Sequence, residues 1–133
     1  MAKTINESEK LAALCAKFAD AIKAENISIL KVGELTVVAD YFVICTGNST
    51  PQLKAISDEV IEGVKRKTGK RASVLSGDAL SGWMVMDYGS VIVHVFSKET
   101  RDKYQLEALW SGAPRIEALK VLEEKTKKKR KSS

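Results

Sequence analysis

The stretch of this sequence nearest in type to a catalytic motif is Thr46-Gly47-Asn48-Ser49, which runs directly into Thr50-Pro51. A glycine-serine turn before a helix N-terminus can hold a triphosphate, because exposed backbone N–H groups and the helix dipole both favour phosphate. Nucleotidyl transfer would also need two or three carboxylates converging on Mg²⁺. Asp58 and Glu59 follow on the next helix, but they are adjacent and point in different directions. Asp87 stands alone, and no Asp-x-Asp pair falls on a predicted strand. Gly47 to Pro51 therefore reads as a tight turn and a helix cap. His94 is the single histidine, and no nucleophile elbow or metal-binding box accompanies it. It reads as a partly buried side chain bonded to backbone, or to Asp87 across a hairpin. Arg101 and Glu107 are six apart, which is not an intrahelical spacing, so each is expected to find its partner elsewhere. Cys15 and Cys45 sit in apolar patterns without metal-ligand spacing and are expected to be buried, reduced thiols. The residues support neither an enzyme nor a cofactor or metal site.

The elements that would position these residues follow from periodicity. Leu11, Leu14, Cys15, Phe18 and Ile22 recur at helical spacing and predict a helix over 7–25, capped by Asn6 with Glu9 and stopped at Asn26. Residues 27–32 read as a strand, and 41–46 as a second strand that is apolar on both faces and so central. Thr50 as N-cap with Pro51 opens a helix with Leu53, Ile56, Val60 and Val64 on one side, closing near Thr68-Gly69. A short strand over 72–75 precedes two alternating stretches that meet at Asp87-Tyr88-Gly89-Ser90, a hairpin. A helix from Lys98 to about Trp110 follows, with Ser97 as its cap, and another from Arg115 to about Lys125. The order predicts an α/β fold: one domain with a mixed sheet of about five strands covered by helices.

Residues 81–110 concentrate the aromatics. Trp83, Tyr88, Tyr104 and Trp110 all lie there, and Tyr and Trp are the side chains most enriched where proteins grip one another. Alternation places Trp83, Val85 and Asp87 on one strand face and Met84, Met86 and Tyr88 on the other. Arg101 and Tyr104 are three apart and share one side of the following helix. Trp110, beside Leu106 and Leu109, is better assigned to the core. The combination describes an adaptor surface.

Bulk properties narrow the class further. The chain has 133 residues, 44% hydrophobic and 29% charged, as expected of one globular domain. Its apolar runs are too short to cross a bilayer and no signal-like stretch opens it, so a cytoplasmic, membrane-free protein is expected. The net charge of +5 belongs to the end: residues 120–133 hold seven basic against two acidic side chains, and residues 1–119 are neutral. The tail from Lys125 to Lys131 would add salt-sensitive attraction to RNA phosphates.

Two blocks carry a resemblance to a known family. One comprises Gly82-Trp83, Asp87-Tyr88-Gly89, Val93-His94-Val95-Phe96, Arg101, Tyr104, Leu106-Glu107 and Leu109-Trp110; the other is the run from Ala39 to Ser49. Together they resemble the Iojap-type ribosomal silencing factors over about residues 8–112. The resemblance implies a silencing-factor domain over 1–112, a helical extension with a basic tail over 113–133, and a topology related to nucleotidyltransferases. It also implies binding to the large ribosomal subunit through ribosomal protein L-fourteen, so that the small subunit cannot join and translation is silenced. Carried onto this sequence, the partner-binding residues are Trp83, Asp87, Tyr88, Arg101 and Tyr104. The same patch suggests a homodimer when the protein is free, and the tail an auxiliary contact to ribosomal RNA. The competing readings are a nucleotidyltransferase-related nucleotide-binding protein and a nonspecific RNA-binding adaptor.

Overall fold

Among the described residues, six strands form one mixed sheet in the order β3-β4-β5-β2-β1-β6. The computed structural model describes residues 6–116. In chain order the elements are α1 (Glu7–Ala21), β1 (Glu25–Lys31), β2 (Tyr41–Gly47), α2 (Thr50–Thr68), β3 (Val74–Asp78), β4 (Trp83–Asp87), β5 (Val91–Ser97), α3 (Lys98–Tyr104), α4 (Leu106–Leu109) and β6 (Arg115–Ile116). Only β2 and β5 run parallel, and they are the sheet centre. Both are apolar on both faces because both faces are covered, as expected of a central parallel pair.

Strand alternation divides the core in two. Tyr41, Val43, Cys45, Val91, Val93, Val95 and Met86 point to the face on which α1 and α2 pack. Gly63 permits that packing: a Cβ there would lie 2.6 Å from the Phe18 ring of α1. Cys15 and Cys45 are buried in this layer as free thiols, and burial pushes the Cys45 thiol up to about 12. Phe42, Ile44, Ile92 and Phe96 point to the opposite face, where Trp83, Val85, Leu106 and Trp110 pack against them.

Several boundaries differ from the sequence expectations. The first helix ends at Ala21, and the left-handed turn falls at Lys23, while Asn26 (φ 49°) sits in an irregularity of β1. Ser49, not Thr50, caps α2, accepting from the Gln52 N–H at 3.1 Å. The third strand begins two residues late, at Val74. The helix expected to run from Lys98 to Trp110 is two helices, broken at Gln105, which adopts φ 47°. Arg115 and Ile116, expected to open a helix, instead pair with Leu30 and Ile29 of β1 and supply a sixth strand. The rest of that expected helix, and the basic tail, lie outside the described residues.

Candidate functional site

The face opposite α1 and α2 carries the aromatic residues, and the chain builds it from the start of α3. Ser97 donates its N–H to the Gly82 carbonyl at 2.8 Å, and its hydroxyl caps α3 by accepting from the Thr100 N–H at 3.2 Å. Gly82 (φ 83°) has no room for a side chain, since a Cβ would fall 2.5 Å from the Thr100 hydroxyl and 2.6 Å from that of Ser97. The first turn of α3 is thereby clamped to the start of β4. At the end of the same helix, Tyr104 lies against Trp83, with ring centroids 5.0 Å apart. Trp83 also packs on Phe96 at 4.9 Å, and Phe42 meets Trp110 edge to face at 5.3 Å. Tyr104 is 48% exposed and Leu109 74%. Val37 and Val38, beside buried Ala39 in the β1–β2 loop, are also exposed.

His94 belongs to this face. Its Nδ1 accepts the Trp83 indole N–H at 3.2 Å, and its ring is parallel to Phe96. Asp87, the partner expected across the hairpin, pairs with Ile92 in the strand register, while His94 stands opposite Val85. Burial holds the imidazole down to about 4, so it stays neutral with Nδ1 free to accept. Its Nε2 is buried without a partner among the described residues. This residue fixes the indole, a role the sequence did not suggest; its position on the strand face shared with Ile92 and Phe96 was the only clue.

Arg101 is engaged inside the fold. Its guanidinium donates to Glu107 Oε1 from Nε (3.0 Å) and Nη2 (2.7 Å), and from Nη1 to the Thr46 hydroxyl (2.8 Å). Glu107 Oε2 accepts from the Ser28 hydroxyl at 2.7 Å and from Arg115 at 2.6 Å. The break at Gln105 explains how residues six apart meet: it turns α4 back so that Glu107 faces Arg101. Burial pushes the Glu107 carboxyl up, but the Ser28 and Arg101 hydrogen bonds and the Arg101 and Arg115 charges outweigh it and hold it below its ordinary value. With its side chain only 12% exposed, Arg101 ties α3 to the sheet.

The five expected contact residues therefore do not form one cluster. The Trp83 and Tyr104 rings meet at a tilt of 46°, while Arg101, on the same helix as Tyr104, turns its side chain to Thr46 of the sheet. Asp87 and Tyr88 are at the far end of β4. Asp87 Oδ1 accepts the Gly89 N–H at 2.7 Å and shapes the turn. Tyr88 packs on the α1–α2 side, where its hydroxyl is buried without a partner. The residues weighed for nucleotide chemistry have structural tasks: Ser49 caps α2, and Asp58 pairs with Lys54 at 3.4 Å on the exposed side. Gln52, in the same turn, donates to the Ile22 and Lys23 carbonyls and holds the end of α1. Among the described residues, no group of three His, Cys, Asp or Glu side chains comes together as a metal ion would require. No helix there is long and apolar enough to cross a membrane.

The chain is thus a mixed α/β domain with α1 and α2 on one sheet face and a partly exposed aromatic group on the other. Residues 5–133 match the family described as ribosomal silencing factor during starvation, and the chain belongs to that family. The match runs past residue 112 and takes in the basic tail, where the resemblance of the two motif blocks had stopped. The chain is 37% identical over 110 residues to the ribosomal silencing factor RsfS of Halalkalibacterium halodurans, covering 83% of this chain and 93% of that one. It is 39% identical over 101 residues to the RsfS of Bacillus subtilis, covering 76% and 85%. A solved structure from Chromobacterium violaceum is similar with a TM-score of 0.76 at 30% identity, covering 80% of this chain and 88% of that one.

Proposed function

We propose that this protein silences translation as a binding protein, by docking its aromatic face on ribosomal protein L-fourteen of the large subunit and keeping the small subunit from joining. The observation that carries the reading is the Trp83–Tyr104 pair: a partly exposed aromatic anchor, its rings in contact at a tilt of 46°, held in place from below by His94 and Phe96. Rigid aromatic area of this kind lowers the ordering cost of association and dominates interface energies. The mechanism is steric exclusion, and no bond is made or broken. Trp83 and Tyr104 supply the anchors. Asp87 and Tyr88 contribute a second contact at the turn end of β4, and Arg101 acts through the helix it positions. Without the ribosome the same exposed face can pair with a second copy, and sedimentation at rising protein concentration would reveal that dimer.

Trp83→Ala and Tyr104→Ala are expected to unfold cooperatively yet each weaken large-subunit binding by about 2 kcal/mol, or roughly thirtyfold. Co-sedimentation with purified large subunits measures this. Wild-type binding by both variants would remove the aromatic face from the interface. A subunit-joining assay with purified subunits tests the consequence: joining should fall with added protein and recover in the variants.

A further inference from the structure

We infer that the basic segment from Lys65 to Arg71 is a docking surface for RNA phosphates, placed at the hairpin-turn end of the domain. The inference rests on the ribosome reading above for the identity of the partner. Lys65, Arg66, Lys67, Lys70 and Arg71 fall within seven residues that contain no acidic side chain, and all five are exposed. The remainder of residues 1–119 holds ten basic and fifteen acidic side chains. A neutral body therefore gathers a third of its cations at one site.

The helix end does not account for this. A C-terminus favours cations in its last turn, but Gly69 N–H already donates to the Lys65 carbonyl and the Thr68 hydroxyl to that of Val64, both at 2.8 Å. Lys70 and Arg71 lie beyond the cap. Arg66 is engaged, 4.0 Å from Glu59 and over the Phe18 ring. Among the described residues, no carboxylate lies within ion-pair distance of Lys65, Lys67, Lys70 or Arg71. Ser73 then donates from its N–H (2.7 Å) and its hydroxyl (3.0 Å) to the Asp87 carbonyl, tying the segment to the turn that carries Asp87 and Tyr88. The basic surface thus continues the proposed contact at that end of β4.

The chemistry selects the partner. The segment has no apolar side chain, so it lacks the anchor that membrane-surface binding uses. It has no aromatic residue on which a base could stack, and the deep, narrow major groove of duplex RNA keeps Lys and Arg from the base edges, so it would grip backbone phosphates without regard to sequence.

The test uses the full chain and a short RNA duplex of mixed sequence as probe, with affinity measured across a salt series. Each phosphate neutralised contributes about 0.7 to 0.9 to the slope of log affinity against log salt. The K65Q/K67Q/K70Q/R71Q variant, which spares Arg66, should lower that slope by about 3 with its unfolding midpoint unchanged. The charge-keeping K65R/K67R/K70R variant should retain the wild-type slope. A neutralised variant whose slope matches wild type would overturn the inference and leave RNA attraction to the tail. So would an unchanged RNA slope accompanied by weaker binding to purified L-fourteen, which would make the segment a protein contact. Failure of the silencing reading itself shows separately, as aromatic-face variants that bind subunits normally while the RNA slope still falls.

Discussion

Glu107→Gln tests whether the Arg101 network holds the aromatic face in place. The substitution keeps size and one acceptor but removes the charge that faces Arg101 at 2.7 Å and Arg115 at 2.6 Å. Leaving one member of a buried pair without its partner costs about 3–5 kcal/mol. Three features reduce the figure here. Glu107 is itself 22% exposed, glutamine can still accept one of the hydrogen bonds, and Arg115, 64% exposed, belongs to a surface-type pair worth about 1 kcal/mol or less. The expected loss at pH 7 is about 2 kcal/mol. With a urea slope of about 1–3 kcal/mol per molar for a domain this size, the midpoint should fall by about 1 M. A carboxylate held below its ordinary pKa contributes stability that is complete above the unfolded value, about 4.3, and disappears as pH falls through the folded one. The gap between wild type and variant should therefore close in acid. A midpoint shift under about 0.3 M at pH 7, or one that persists undiminished at low pH, would refute this account of the network.

The remaining expectations concern His94, Tyr88 and the indole. His94 is held at about 4 in the fold against about 6.5 when unfolded, so the unfolded chain binds the extra proton first. Stability should fall by up to about 3 kcal/mol as pH drops from 6.5 to 4, and the loss should be absent in His94→Phe; equal acid sensitivity of the two proteins in urea unfolding would contradict it. Tyr88→Phe removes a buried hydroxyl without a partner and should leave stability unchanged or raise it by about 1 kcal/mol; a clear destabilisation would mean that the hydroxyl has an acceptor. Trp83→Phe should weaken large-subunit binding less than Trp83→Ala does, because the indole N–H is already given to His94; equal losses would mean that the partner uses that N–H.

What the sequence made legible were the features written as local pattern. The helical spacing of Leu11, Cys15 and Phe18, the two-faced apolar run of β2, and the hairpin at Asp87 to Ser90 are each set by neighbouring residues, and each is where it was expected. Of the candidate site, strand alternation gave the face of Trp83 and helix spacing the side of Tyr104, but the contact between the two rings joins separate elements and was written in neither period. The break at Gln105 was not. Glutamine is a good helix former, no glycine or proline marks the site, and the contacts that go with its left-handed backbone, Glu107 with Arg101, Ser28 and Arg115, join residues of separate elements. The strand β6 was hidden for the opposite reason, since two residues carry no period. Arg101 stood out in the sequence, but its partners came from three other elements, and only the sheet brings Ser28 and Thr46 beside it.

That network bears on how the aromatic face works. A sheet face left to seven-residue and four-residue helices would be poorly fixed, because neither helix is long enough to be stable alone. The chain compensates with two ties on either side of Tyr104. Gly82 and Ser97 clamp the start of α3, and Arg101 with Glu107 locks the junction with α4. Trp83 is held from below in the same way, through His94. Trp83 and Tyr104 are therefore ordered within the fold, and under the proposed docking association would not meet the cost of ordering them. The Trp83 N–H is spent within the protein, on His94, so the indole offers mainly shape and apolar area. Charge-based recognition there can use Lys103, whose ammonium lies 5.6 Å from the Tyr104 ring centroid, and the described residues concentrate further positive charge at the other end of β4, next to the turn, where Lys65 to Arg71 are held.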